Sequence, residues 1–200
     1  MRYGQLVLLV LIAGCGQPAS PDPSQPLPRA STAASDSSGV PRADVQLSIV
    51  TFEGIQERIA RQRGKVVVMD AWSTSCPPCM KEFHHLVELH KQHSPEQLAC
   101  ISLSFDYEGL DTPEQVQGPV LDFLRSQGAT FENLMSSEES DELYRKFKLA
   151  AVPAVFVFDR AGKLRKRFDN EQARSKDDAF TYAQVEQLVD ELLKESPPAH

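Results

Sequence analysis

The sequence predicts an α/β sandwich built on a mixed β-sheet. Three observations carry that reading. Short β-type runs alternate with amphipathic helical stretches along most of the chain. A hairpin signal and one last helix follow them. The run Lys65-Val66-Val67-Val68-Met69-Asp70 is almost wholly apolar and rich in β-branched residues, which suits a strand covered on both faces.

The elements follow in order. The folded part is expected over residues 45–197, with a first strand over residues 45–50. Residues 52–62 carry Ile55 and Ile59 four apart, the spacing of one helix face. A helix is predicted from Cys76 to about His93, with Met80, Phe83 and Leu86 or Val87 on one side. Residues 98–105 form a second β-type run. Thr112-Pro113-Glu114 has the chemistry of a helix start. A second start is marked at Gly118-Pro119, with Gly128 as the C-cap. Residues 141–149 read as helical. Residues 154–159 and 163–168 flank Arg160-Ala161-Gly162, a hairpin signal. Residues 181–194 close the chain as a helix through Val185, Leu188 and Leu192.

The chain has 200 residues, 41% hydrophobic and 24% charged, enough for one domain with accessory segments. Its net charge is -7, with no long basic run, which argues against a nucleic-acid partner.

The N-terminus is expected to lie outside the fold. Met1-Arg2 is followed by an apolar run over residues 6–12, too short to span a bilayer. It ends in Ile12-Ala13-Gly14-Cys15, which resembles a bacterial lipobox. That resemblance implies a signal peptide over residues 1–14 and lipid attachment at Cys15. Residues 15–44 are rich in Pro, Ser and Ala without apolar periodicity, and read as a disordered tether. Two or more acyl chains give stable anchoring. The expected location is therefore extracytoplasmic, on the periplasmic face, with the outer membrane an option after Gly16.

The chemistry centres on Cys76-Pro77-Pro78-Cys79. Two cysteines with two residues between them can close a disulfide within one helical turn. Here the pair follows a buried strand and opens a helix. A thiolate at Cys76 would be stabilised by the free N–H groups and dipole of the helix start. Cys79, one turn inside, would be shielded and act as the resolving thiol. The two prolines fit first-turn positions, which need donate no hydrogen bond. A structural disulfide or half of a zinc site are the plainer readings. A zinc site built from cysteines alone needs a second pair, and only Cys15 and Cys100 remain. Cys100 sits alone in an apolar strand, as an inert core thiol does.

The segment from Val66 to Cys79, with Asp70-Ala71-Trp72-Ser73-Thr74-Ser75 before the cysteines, is similar to the active-site segment of the thioredoxin superfamily. The Cys-Pro-Pro-Cys pair and the export signal resemble its TlpA/ResA-like branch of thiol–disulfide reductases. Ala151-Val152-Pro153-Ala154, leading into an apolar strand and Gly162, resembles that family's cis-proline strand and hairpin. The resemblance implies a thioredoxin fold with an N-terminal extension and a TlpA-like insertion at about residues 106–118. It implies Cys76 as nucleophile and Cys79 as resolving cysteine. Pro153 becomes the cis-proline beside the disulfide, and Val152 the residue whose backbone pairs with substrate. Asp70, six residues before Cys76, matches a buried acid that serves Cys79. Glu82 matches an acid that tunes the thiols, and Trp72 an aromatic that contacts substrate. No cofactor is implied beyond the Cys76–Cys79 couple, and no metal. The implied partners are protein disulfide or dithiol clients and a membrane electron donor of thiol-reductase type. Cytochrome c maturation is one role the resemblance implies, and general reduction of misoxidised exported proteins is another. Ser75 departs from the pattern, which often has tryptophan there.

Two rival readings arise. His84, His85, His90 and His93 follow the cysteines, and together with them suggest the ligands of a copper or zinc metallochaperone. Such relatives have three residues between the cysteines, and this chain has two. A peroxiredoxin-like antioxidant would need a Pro-xxx-Thr-xx-Cys motif, which residues 70–80 do not supply.

Overall fold

The computed structural model describes residues 44–196. The expected signal peptide, Cys15 and the tether as far as residue 43 lie outside the described residues. Asp44 is exposed and belongs to no regular element.

Six strands form one mixed sheet: β1 (Ser48–Val50), β2 (Val66–Trp72), β3 (Leu98–Ser104), β4 (Glu132–Ser136), β5 (Ala154–Phe158) and β6 (Leu164–Asp169). Their order is β1-β4-β3-β2-β5-β6. The first four are mutually parallel, β5 runs antiparallel to β2, and β6 runs antiparallel to β5. Strand β2 is central, and all seven of its residues are buried. This is why its apolar run does not alternate.

Alternate β2 residues face two cores. Val67, Met69 and Ala71 pack against Ile55 and Ile59 of α1 (Phe52–Ala60) and Leu143 of α5 (Ser140–Phe147). Val66, Val68 and Trp72 face the other way. There they meet α2 (Pro77–Glu82), α3 (His84–Gln92), α4 (Pro113–Gln127) and α6 (Tyr182–Lys194). The sandwich expected from the sequence is thus the one observed. Among the described residues, no helix is long and apolar enough to cross a membrane.

Three local features differ from expectation. The helix predicted over residues 76–93 is two helices meeting at Phe83. The Leu86 N–H bonds the Phe83 carbonyl at 3.1 Å, a tighter i to i+3 turn. The Phe83 ring is fully buried there, 5.0 Å from Trp72 and 5.1 Å from Phe123 between ring centres. At Gly118-Pro119 no new helix begins: α4 runs straight through Pro119. Pro119 and Gln115 are both exposed, so water can satisfy the carbonyl that proline leaves without a donor. The segment expected as an insertion is an irregular loop over residues 106–112, followed by the first turns of α4.

The third difference is β4, which the sequence did not announce. Glu132-Asn133-Leu134-Met135-Ser136 has no β-branched residue. Buried hydrogen bonds hold it instead. Ser102 Oγ donates to Asn133 Oδ1 at 2.9 Å, and Asn133 Nδ2 reaches the carbonyls of Ala129 at 2.8 Å, Phe131 at 3.0 Å and Gln46 at 3.1 Å. Replacing Asn133→Ala is expected to cost about 2–3 kcal/mol, because several buried groups lose their partner at once. Urea unfolding would show it as a lower midpoint at unchanged slope. An unchanged midpoint would mean that packing alone holds β4.

Candidate active site

Strand β2 ends at Trp72 and the chain turns through Ser73-Thr74-Ser75 into α2. Cys76 is the N-cap of that helix, with extended backbone (φ -107°, ψ 95°). Its carbonyl accepts the Met80 N–H at 3.1 Å, which starts the helical ladder. Cys76 and Cys79 form a disulfide, with their Cα atoms 5.3 Å apart. The Cys79 N–H lies 3.3 Å from Cys76 Sγ. Cys76 is half-buried, whereas Cys79 is only 3% exposed. A partner molecule can therefore reach the first sulfur and not the second.

Strand β5 pairs antiparallel to β2, with Ala71 opposite Ala154. That register sets the residues just before β5 beside the end of β2. The Val152–Pro153 peptide is cis, and the Val152 carbonyl oxygen lies 3.7 Å from Cys76 Sγ. Both residues are half-buried. The structure thus brings Cys76, Cys79, Val152 and Pro153 together, although the cysteines and the proline lie more than seventy residues apart.

The turn before Cys76 is held by Asp106, a residue the sequence did not single out. Its Oδ1 accepts from the Thr74 N–H at 2.9 Å, from Ser73 Oγ at 3.1 Å and from Thr74 Oγ1. Its Oδ2 accepts from Ser104 Oγ at 2.6 Å. One carboxylate just beyond β3 therefore ties down the loop that presents Cys76. The run of hydroxyls at residues 73–75 was the only signal for it.

Two carboxylates near the site sit in opposite environments. Asp70 is 4% exposed, on the same face of β2 as Trp72. Burial pushes its carboxyl up to about 7, against a smaller lowering by the Tyr182 hydroxyl, which donates to its Oδ2. Among the described residues, its Oδ1 has no hydrogen-bond partner. Glu82, by contrast, is 40% exposed in its side chain and pairs with Lys81 at 3.0 Å and His85 at 3.4 Å. The hydrogen bond from Lys81 holds its carboxyl below the usual range. Glu82 thus stays ionised at neutral pH, and no hydrogen bond or ion pair joins it to either cysteine. Of the two acids, Asp70 is the one poised to exchange a proton near pH 7.

Trp72 requires a correction. It is 0% exposed, with its ring centre 5.0 Å from that of Phe83 and 4.9 Å from that of Phe123. A ring so enclosed cannot touch a substrate. It instead belongs to the buried cluster that also holds Cys79 and Phe83.

Cys100 is free and buried, and burial pushes its thiol up to about 12, as expected of an inert core thiol. The histidines do not gather on the cysteines. Among the described residues, the one group able to hold a metal ion is His84, His85 and Glu88, with ligand atoms within 4.8 Å of one another. Neither His90 nor His93 belongs to it.

Comparison with known proteins agrees with this geometry. Residues 40–167 match the model of the AhpC/TSA family. Sporulation thiol-disulfide oxidoreductase A of Bacillus subtilis is 25% identical over 116 residues, covering 58% of this chain and 66% of that protein. Thiol-disulfide oxidoreductase ResA of Geobacillus thermodenitrificans is 24% identical over 115 residues, covering 58% of this chain and 60% of its own. The chain thus spans slightly less than two thirds of the length of these relatives. Among solved structures, a thiol-disulfide isomerase from Corynebacterium glutamicum superposes with a TM-score of 0.53 at 23% identity, over 68% of this chain and 86% of that one. The thioredoxin-like superfamily protein SPOA0173 gives a TM-score of 0.55 at 19% identity, over 70% and 87%. The fold is thioredoxin-like.

Proposed function

The chain belongs to the AhpC/TSA family, and from that premise we propose that it is a membrane-tethered, extracytoplasmic thiol–disulfide oxidoreductase working as a protein-disulfide reductase. The observation that carries this reading is the Cys76–Cys79 disulfide at the start of α2, its outer sulfur half-buried beside the cis Val152–Pro153 peptide.

In the reduced protein the Cys76 thiolate attacks one sulfur of a client disulfide. A Cys76–client bond forms, and the other client sulfur leaves as a thiolate. The Cys79 N–H, directed at Cys76 Sγ, helps to hold the charge before attack. Cys79 then loses its proton and attacks Cys76 Sγ. The Cys76–Cys79 disulfide forms, the Cys76–client bond breaks, and the second client sulfur leaves with the electron pair. Two electrons have passed from the protein dithiol to the client. Val152 lines this site, and in this reading its backbone pairs with a client strand. The couple itself carries the electrons, so the reaction needs no other cofactor.

The peroxidase reading finds no support at Cys76. Met69 and Ser73 stand where its motif needs Pro and Thr, and Cys76 already has a resolving partner one turn away.

The tether reading rests on residues 1–44, with Cys15 as the lipid attachment point. An exported reductase works against an oxidising compartment, so it needs electrons from a membrane thiol-reductase donor. Clients of this chemistry include apocytochrome cysteines before haem attachment and misoxidised exported proteins.

Equilibrating the full chain with defined thiol buffers would test the direction of electron flow. The Cys76–Cys79 potential is expected near or below the roughly -270 mV of thioredoxin. A value close to the roughly -120 mV of a strong oxidant would make the protein a disulfide-forming catalyst instead.

A further inference from the structure

Asp70 and Tyr182 lie 112 residues apart and meet in the core. Both are buried, at 4% and 5% exposure. The Tyr182 hydroxyl donates to Asp70 Oδ2, while Oδ1 accepts from no donor among the described residues. The outer side of the Tyr182 ring is covered by the His85 imidazole, stacked at 5.1 Å between ring centres and 23° between planes. The pair is thus sealed beneath the α3 surface. Along β2, Asp70 is two residues before Trp72, a step of roughly 7 Å on the same strand face, and Trp72 shares one buried cluster with Cys79.

We propose that Tyr182 is a positioning residue of thiol–disulfide exchange: by donating to Asp70 Oδ2 it holds the buried carboxyl in the ionised form that takes the proton of Cys79. This rests on the oxidoreductase reading above. The step is the resolving one. The Cys79 S–H proton passes to Asp70, the Cys79 sulfur attacks Cys76 Sγ, and the client leaves as a thiolate that is reprotonated.

The physical case is a competition between two effects. Burial opposes a charge on Asp70, and only one protein donor opposes burial. Removing a hydrogen bond to a charged group in a dry site leaves the full desolvation cost in place. Asp70 already titrates at about 7, with the tyrosine lowering it. The other titratable groups facing the pair oppose ionisation or lie beyond it. Cys100 of β3 is a neutral thiol, and Glu82 of α2 adds negative charge near Tyr182. His85 of α3 covers the ring, with carboxylates of Glu82 and Glu88 at 3.4 Å and 3.7 Å from its two nitrogens. Among the described residues, the Tyr182 hydroxyl is the one group that donates a hydrogen bond to the Asp70 carboxyl.

The test is Tyr182→Phe in the full chain, which keeps the ring and its stack on His85. The Asp70 midpoint in the oxidised protein, read by carboxyl-carbon NMR, is expected to move up by about one pH unit or more. The acid limb of resolution, read as the rate at which a Cys76–client mixed disulfide collapses, should move with it. At pH 6 the variant should be about tenfold slower or more, with the rate recovering in alkali. In an Asp70→Asn background, where no carboxyl is left to titrate, Tyr182→Phe should not change the rate of resolution or its pH dependence any further. If Asp70→Asn abolishes the limb but Tyr182→Phe leaves limb and midpoint in place, the role of Tyr182 is overturned and Asp70 stands as acceptor. If Asp70→Asn keeps the limb, the proton goes elsewhere and both fail. If no mixed disulfide forms in the wild-type protein, the oxidoreductase reading itself has failed.

Discussion

Cys79→Ser is expected to trap covalent mixed disulfides between Cys76 and client proteins, while Cys76→Ser is expected to abolish exchange. The asymmetry follows from exposure. Cys76 is half-buried at the helix start, and Cys79 is 3% exposed beneath it. A client disulfide can reach only the first sulfur, so without Cys76 there is no nucleophile. Turnover in an insulin-reduction assay should then fall by on the order of a thousandfold or more, the scale on which losing a nucleophile acts. Without Cys79 the first step still occurs, but nothing nearby resolves its product. Non-reducing electrophoresis should show client-sized adducts that collapse on adding dithiothreitol. Wild-type turnover in both variants would remove the cysteine pair from the mechanism. Adducts on Cys79 in place of Cys76 would reverse the roles that burial assigns.

Asp70→Asn is expected to make the protein more stable at pH 8 and to flatten its stability between pH 4 and 7. Burial raises the Asp70 carboxyl from 3.8 to about 7. Between those values the folded chain holds a proton that the unfolded chain has released. Acid therefore favours the folded state, and stability declines as pH rises through this window. A shift of about three pH units corresponds to about 4 kcal/mol at 1.36 kcal/mol per unit. Above pH 7 the penalty is complete, because the native carboxylate is charged in a dry site. Asparagine removes the charge, and the gain at pH 8 is this figure less the cost of burying a new amide. Wild-type and variant denaturation midpoints should therefore differ much more at pH 8 than at pH 4. Parallel curves would show that Asp70 is not desolvated. A more stable but slower protein is the result to expect if the acid is kept for the chemistry.

The legible parts of this protein were those encoded over short windows. The β2 run showed its burial through the absence of alternation, and the α1 and α6 helices showed theirs through apolar spacing. The Cys76–Cys79 pair was legible because strand, prolines and helix start all lie within a few residues. The cis peptide at Pro153 was implied by the family resemblance of Ala151-Val152-Pro153-Ala154, and the structure has it.

What the sequence left open depended on contacts far along the chain. Strand β4 exists because Asn133 finds Ser102 and three carbonyls in the core, not because its residues favour a strand. Phe83 carries no helix-breaking signal, yet the helix is interrupted where its ring meets Trp72 and Phe123. The same packing removes Trp72 from any substrate surface. Glu82 and Asp70 look alike as isolated acids, and only their surroundings separate them: a lysine and open solvent for one, a buried tyrosine for the other. Asp106 and Tyr182 became visible only once folding placed them beside Thr74 and Asp70. Local propensity and periodicity act between near neighbours, so they determined most of the elements and the spacing of the cysteine pair of this protein. Desolvation and buried hydrogen bonding depend on what packs above a residue, so the tertiary structure alone decided which acid keeps a proton and which side chain stays dry.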